Sequence, residues 1–349
     1  MKKKIKIACL PVAGKENPYQ LLMIQGLNES NFLNAFNGVD DRFLGILKTY
    51  IKYKPQYIHF DWINSYYIRR TRWMTYLLLP VFLIQVIFLK YFTKTKMVWT
   101  LHNIMPHNSR YDFLDKYIRS FFINKCHWVR VFSKDTVMKL SKVLRLKNIQ
   151  FKVVPEGDYQ SVYRNNQSRE KSREILGLDD NSKVLLFLGF IRPYKGLEKL
   201  IEVFDSLNLE NTKLIIAGLA RDNIYLEYLK KKANKNKQIY FFDKFIKDND
   251  LQTYFKASDL VILPFDKVEN SGSVIMAMGF SKAIIAPKKG VLLERLENQK
   301  FLLFENNLAD VIKNTLSISI EELNKIGSLN KKSLSNNNWS NFSRLFYEK

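Results

Sequence analysis

The stretch "KVLLFLGFIRPYKGLEKLIEVF", residues 183–204, constrains the fold of this chain more than any other. An apolar run over 184–188 ends at Gly189, a basic turn carries Arg192 and Lys195, and after Gly196 the residues Leu197, Leu200, Ile201 and Phe204 recur at helical spacing. A fully apolar strand that feeds a short turn and then an amphipathic helix is the building unit of a parallel α/β sheet. Open sheets of that kind bind ligands outside the carboxyl ends of their strands, so Arg192 and Lys195 stand where an anionic ligand would lie. The same two cations also suit an ordinary solvated turn, and this unit alone leaves both readings open.

Strand and helix patterns alternate on both sides of this unit, and 349 residues exceed what one core usually serves, so two α/β domains are expected. The polar run "RNNQSREKSREILGL" over 164–178 marks the inter-domain region. It gives a first domain over 1–162, a second over 163–332 and a C-terminal helix over 333–349. In the last segment Trp339, Phe342, Leu345 and Phe346 are spaced to share one apolar face, expected to pack back on the first domain, with a frayed tail as the alternative. Cys9 and Cys126 are too few for a disulfide framework and suit a reducing compartment. The basic start is followed by only a short strand-like run before Pro11, so no signal peptide is expected.

Charge is unevenly spread. Of a net +23, residues 1–160 hold 26 basic and 10 acidic side chains, which predicts a polyanionic partner for that half. An anionic membrane surface, a nucleic acid and a phosphate-bearing acceptor all fit, and a Lys- and Asn-rich source composition is the bland alternative. The most apolar stretch, 73–92, lies in the same half. It is interrupted by Pro80 and Gln85 and bracketed by Arg69, Arg70 and Arg72 and by Lys90, Lys94 and Lys96. A spanning helix needs about 20 apolar residues. A buried domain helix is therefore the first expectation, a helix against a membrane face the second and a span the third.

Within the first half, 4–10 reads as a buried strand followed by a loop at Gly14, and 57–60 as a strand that holds His59 with Asp61 just beyond. The strand 96–101 delivers His102, Asn103, Pro106 and His107. Two histidines with no cysteine nearby fall short of a metal set, so a catalytic or substrate-contacting His102 is the better reading, against a structural histidine. In the second half strands are expected over 213–217, 238–241, 260–263 and 283–286. Ahead of the last of these, Glu269 is followed by Ser271, Gly272 and Ser273 at a helix start near Val274. Small residues there let a phosphate approach free backbone N–H groups, and serine hydroxyls add donors; a plain helix cap is the competing explanation.

Taken in order, "VWTLHNIMPH", "FLGFIRPYKGLEKLIEVF", "KLIIAG", "KASDLVILPF" and "ENSGSVIMAMGFSKAIIAP" resemble the family 4 type of GT-B glycosyltransferases over almost the whole chain, most specifically over 183–290. The resemblance implies two Rossmann-like domains facing each other across a cleft, with a C-terminal helix crossing back to the first. The second domain would hold a nucleotide sugar and the first an acceptor. The anomeric configuration would be retained and no metal used. Arg192 and Lys195 match the family's basic pair on the donor diphosphate, Gly14 its glycine loop, and Glu269 the first of two glutamates with seven residues between them. Asp61, with His59, matches a short motif that faces the acceptor side, and His102 matches the histidine common at the end of a later strand of the first domain. The second glutamate falls on Ala277 and is missing, as in a subgroup that uses the Ser-Gly turn instead. Ser281 and Ala283 stand where the family often has glycine and proline.

These matches imply a retaining hexosyltransferase of surface polysaccharide synthesis. The co-substrate would be a nucleoside-diphosphate sugar, a UDP-sugar favoured over GDP-mannose, and the acceptor a lipid-linked glycan. The enzyme would be cytoplasmic and peripheral on the inner face of the cell membrane, held there by the basic first half, with no nucleic acid as partner. A sugar-nucleotide epimerase of the same architecture and a non-catalytic basic nucleotide- or nucleic-acid-binding protein are the alternatives.

Overall fold

A computed structural model describes residues 3–14, 17–105 and 111–346. Pro106 and His107 lie outside the described residues. The chain divides into two compact units, Met1–Gly157 with Asn337–Lys349, and Asp158–Asn336.

The first unit runs β1 (Ile5–Leu10), α1 (Pro18–Asn28), β2 (Leu33–Asn37), α2 (Gly45–Tyr53), β3 (Tyr57–Phe60), α3 (Arg72–Phe92), β4 (Lys96–Thr100), α4 (Asp112–Ile123), β5 (Trp128–Val131), α5 (Lys134–Val143) and β6 (Phe151–Val153). Every strand pair is parallel, in the order β2-β1-β3-β4-β5-β6. Parallel strands covered on both faces are largely apolar, and β3 and β5 are buried at every position, His59 and Arg130 included. The order reverses between β1 and β3, which opens a crevice at their carboxyl ends.

The C-terminal apolar face is present, wound as tight 3₁₀ turns over Trp339–Phe346 in place of an α-helix, and it packs on the first unit. Phe346 meets Tyr57 at 5.1 Å and Trp128 at 5.2 Å between ring centroids, and Phe342 covers the guanidinium of Arg130 at 4.4 Å. Gly26 admits this segment, because a Cβ there would lie 2.5 Å from the Cβ of Trp339.

Helix α3 is continuous through Pro80. Its buried-helix expectation holds for one face only. Thr75, Leu78, Phe82, Gln85, Val86 and Leu89 are buried, whereas Trp73, Leu77, Ile84 and Tyr91 are exposed.

The second unit runs α6 (Arg169–Leu176), β7 (Lys183–Leu188), α7 (Leu197–Ser206), β8 (Thr212–Ala217), α8 (Asn223–Ala233), β9 (Ile239–Phe242), α9 (Leu251–Ala257), β10 (Leu260–Ile262), α10 (Gly272–Gly279), β11 (Ala283–Pro287), α11 (Val291–Arg295), β12 (Leu303–Phe304), α12 (Leu308–Leu316) and α13 (Ile320–Ser335). Its sheet is parallel too, ordered β12-β11-β10-β7-β8-β9. This is the doubly wound arrangement, and its order reverses between β7 and β10. Both units are therefore parallel α/β domains, as the strand, turn and helix pattern predicts, with the Rossmann-like form that the resemblance implies.

The polar run at 164–178 contains α6, a helix anchored inside the second unit. Ser168 caps its start, and Gly177 closes it in the left-handed conformation. Arg173, 0% exposed, donates to the carbonyls of Ala257, Asp179, Asp180 and Ser182 and pairs with Asp259 at 2.9 Å. Asp259 also takes Arg169 at 3.1 Å and the Val184 N–H at 2.8 Å. Removing one partner of a buried, hydrogen-bonded charge leaves the other uncompensated. Arg173→Met is expected to lower unfolding free energy by about 3–5 kcal/mol in a urea titration, with m unchanged.

Candidate functional site

In the second unit, the loops after β7 and β10 meet at the point where strand order reverses. Gly189 follows β7 so closely under α10 that a Cβ on it would lie 2.9 Å from the hydroxyl of Ser273. The chain then makes a 3₁₀ turn over Pro193–Lys195 and enters α7 through Gly196 at φ 72°, where a Cβ would lie 2.0 Å from the carbonyl oxygen of Pro264. Only glycine satisfies both demands at that position. A backbone hydrogen bond from Asp266 N–H to Tyr194 O, 3.0 Å, locks the two loops together.

This frame holds Arg192 and Lys195 side by side, and among the described residues neither has a carboxylate within ion-pair distance. The Lys195 ammonium lies 4.2 Å from the centre of the Phe265 ring, and the Arg192 guanidinium lies 5.5 Å from that of Phe190. Arg221, beyond β8, approaches the same Phe190 ring at 5.8 Å and adds a third positive group that the sequence pattern did not single out. Burial, and secondarily the charge of Arg192, pulls the Lys195 pKa down to about 8.

The start of α10 faces the same end of the sheet. Ser271 is the N-cap, its hydroxyl accepting from Val274 N–H, so the plain cap explanation holds for this serine. Gly272 and Ser273 are the first two helical residues. Their N–H groups have no protein acceptor among the described residues, and Gly272 is exposed with open space where a side chain would be. Glu269 lies half-buried in the same loop. Ala277, on which the second glutamate would fall by count, is 0% exposed, so a carboxylate there would be buried in the helix packing; its neighbour Met276 is the partly exposed one. Ser281 adopts φ 57° just past the helix, the conformation that a glycine serves best.

In the first unit, the loops after β1, β3 and β4 bring Gly14, Asp61 and His102 to the other reversal point. Asp61 is buried, its N–H held by Leu10 O at 2.8 Å and its own carbonyl accepting from Trp99 Nε1 at 2.9 Å. Its carboxylate takes His102 Nε2 at 3.0 Å and Gln20 Nε2 at 3.2 Å. Burial pushes the Asp61 pKa up, but His59, His102 and the Gln20 amide outweigh it and hold the carboxyl below its ordinary value. An ionised carboxylate only accepts, so Nε2 of His102 carries the proton, and in the neutral ring Nδ1 is the acceptor. The imidazole stacks on Trp62, centroids 4.7 Å apart and planes 19° apart, with the edge of Tyr19 at 4.8 Å. His59 is fully buried; its Nε2 pairs with Thr100 Oγ1 at 2.8 Å, and burial drives its pKa down to about 4. It shapes the pocket of Asp61 from behind and has no surface to offer a ligand.

Gln20 is the member of this network that no motif announced. It spans from Asp61 to the loop after β1, donating to Pro11 O at 3.0 Å and accepting from Ala13 N–H at 2.8 Å, and so ties the Gly14 loop to the carboxylate. Gly14 itself has open space around its missing side chain. Among the described residues, no group of three or more His, Cys, Asp or Glu is placed to hold a metal ion.

Residues 168–333 match the family model described as "Glycosyl transferases group 1". A GDP-mannose:glycolipid 4-beta-D-mannosyltransferase of Xanthomonas campestris pv. campestris is 25% identical over 203 residues, 56% of this chain and 51% of that protein. An uncharacterized glycosyltransferase of Methanocaldococcus jannaschii is 29% identical over 268 residues, 71% of this chain and 66% of that one. The chain spans about half the length of the first of these curated relatives. The crystal structure of HepE from Anabaena in complex with UDP-glucose superposes with a TM-score of 0.72 at 17% identity, covering 98% of both chains. The chain thus has the GT-B fold and, through residues 168–333, is related to the group 1 glycosyltransferases.

Proposed function

We propose that this chain is a retaining glycosyltransferase that moves a hexose from a nucleoside-diphosphate sugar to a hydroxyl of a lipid-linked glycan. The observation that carries this reading is the partly desolvated pair Arg192 and Lys195, without an ion-pair partner among the described residues, at the same end of the sheet as the open N–H groups of Gly272 and Ser273. Two cations that lack a counter-ion among the described residues would be completed by a diphosphate, and their attraction grows as the leaving group gains charge. In the transfer the bond from C1 to the phosphate oxygen breaks and the acceptor oxygen bonds C1 on the same face. The acceptor proton passes to the departing phosphate oxygen. Glu269 would hold hydroxyls of the donor sugar. Asp61 and His102 would orient hydroxyls through Nδ1 of the ring, and the loop at Gly14 would give backbone approach.

The UDP series is favoured as donor, supported by the fold shared with a protein that binds UDP-glucose; the name of the Xanthomonas relative argues for GDP-mannose, so both belong in the test. The relatives named for glycolipid and lipopolysaccharide acceptors support a lipid-linked acceptor and work at the cytoplasmic face of a membrane in polysaccharide synthesis.

Thermal unfolding with UDP, GDP and their sugars tests the donor site. A saturating ligand at a hundredfold excess over its Kd stabilises by about 2.7 kcal/mol. One nucleotide series is expected to raise Tm, and Arg192→Ala with Lys195→Ala to abolish the rise; a folded wild type that responds to no nucleotide would overturn the reading. His102→Ala is expected to keep the nucleotide response and lose transfer by about a hundredfold or more.

The lowered pKa of Lys195 gives a pH signature. The folded, ligand-free protein holds this proton less tightly than the unfolded chain, so its stability rises as pH climbs from about 8 toward the ordinary lysine range. Diphosphate favours the charged form, so affinity is full below about pH 8 and falls above it. Calorimetry on Lys195→Met is expected to show weak, flat binding across that range, with ligand-free stability raised by about 1 kcal/mol.

A further inference from the structure

The outward face of α3 is apolar from end to end. Trp73, Leu77, Pro80, Ile84, Ile87 and Tyr91 follow one another at steps of three and four residues and all are exposed, Trp73 and Ile84 each at 65%. No charged residue lies in α3 between Arg72 and Lys90. A helix on the surface of a soluble domain turns its polar residues outward. Here the two polar side chains point inward. Gln85 donates to Phe43 O at 2.9 Å and accepts from Leu47 N–H at 3.1 Å, and Thr75 accepts from Arg69 N–H at 3.0 Å.

Helix α4 widens the patch. The Tyr111 ring at its start lies 6.5 Å from that of Tyr76, and Lys125 just past its end donates to the Tyr91 hydroxyl at 2.7 Å, so α4 runs beside α3 in the same direction. It adds Phe113 at 86% and Tyr117 at 60% exposure. At 1.5 Å per residue the apolar strip is about 30 Å long, more than a soluble surface leaves bare without a purpose. Exposed Arg72, Lys90, Lys94 and Lys116 rim it, with Asp112 the acid at its edge.

We propose that this face lies on an anionic lipid bilayer, with α3 in the plane of the headgroups. The inner side of α3 is committed to the core of the first unit along its length, so the helix rests on a membrane and does not cross one. Trp and Tyr toward both ends sit where a lipid interface places them, and the flanking cations reach the headgroups. A two-fold pairing of this face with a second copy would set like-charged rims against each other. The basic surplus in residues 1–160 gives the same sign over the whole half. This names the surface behind the membrane location proposed above. It is read without donor or acceptor, so it stands or falls apart from the transfer chemistry.

Flotation of the full chain with phosphatidylcholine vesicles, with and without phosphatidylglycerol, tests it. Binding is expected only with phosphatidylglycerol, weakening as salt rises. Ile84→Glu with Ile87→Glu, both at exposed positions, is expected to lower vesicle affinity roughly tenfold or more, with circular dichroism and Tm unchanged. Trp emission should shift blue on vesicles in the wild type and much less in Trp73→Phe. Equal flotation of wild type and the double variant would overturn the proposal. So would a wild type that ignores both vesicle types, or one that light scattering finds dimeric until the double variant makes it a monomer.

Discussion

Two cations held next to each other without a carboxylate are a state that folding alone disfavours, and the second unit is built around holding one. Lys195 loses solvation against Phe265 and feels the charge of Arg192, and both effects lower its affinity for a proton. The frame that keeps it there is backbone. Gly196 takes a left-handed turn against Pro264 O, and Gly189 lets α10 come down on the end of β7. With the loops after β7 and β10 fixed this way, the open N–H groups at the start of α10 face the same end of the sheet as the cations. The strain is stored in charge, and an anion releases it.

The first unit solves the opposite problem at the equivalent place. A carboxylate, Asp61, is buried at the strand reversal, yet its pKa is held low because His59, His102 and the Gln20 amide together outweigh burial. The cost of burial is met inside the protein, so this site asks for no counter-ion. What it leaves open is one nitrogen of His102, braced by Trp62 and Tyr19. Under the proposed function such a group would orient a hydroxyl, a different task from neutralising a phosphate.

How far the sequence announced all this depended on where each residue finds its partner. The β7 to α7 unit was legible because its information is local: an apolar run, a glycine and a helical period within residues 183–204. The ends of β10 and β11 were legible for the same reason. Strand β2 and helices α2, α6 and α13 were not. β2 reads "LNAFN", broken by Asn34 and Asn37, and it is held at Ala35 by Asn28 of α1, whose amide donates to the Ala35 carbonyl and accepts from its N–H. α6 is polar, and its two fully buried residues are Ser172 and Arg173, the arginine finding partners as far along the chain as Asp259. Gln20 and Arg221 carry no pattern at all; only the parallel sheet brings them to their sites. The missing second glutamate shows the limit of counting, since spacing falls on Ala277 while the helix turns that side chain into the core.

Helix α3 is the reverse case, where composition was plain and orientation was hidden. An all-apolar helix gives no periodic signal, because period measures contrast between faces and there is almost none. Its two polar residues then mislead, since Gln85 and Thr75 look like the water-facing side. Both are instead spent on backbone groups of the first unit, Gln85 on Phe43 O and Leu47 N–H, and Thr75 on Arg69 N–H. Inward hydrogen bonds to a fixed backbone set the rotation of the helix, and the rotation leaves the aliphatic and aromatic side chains outside. A soluble surface would not keep that arrangement against the hydrophobic effect, whereas the same arrangement costs nothing where the outside is lipid.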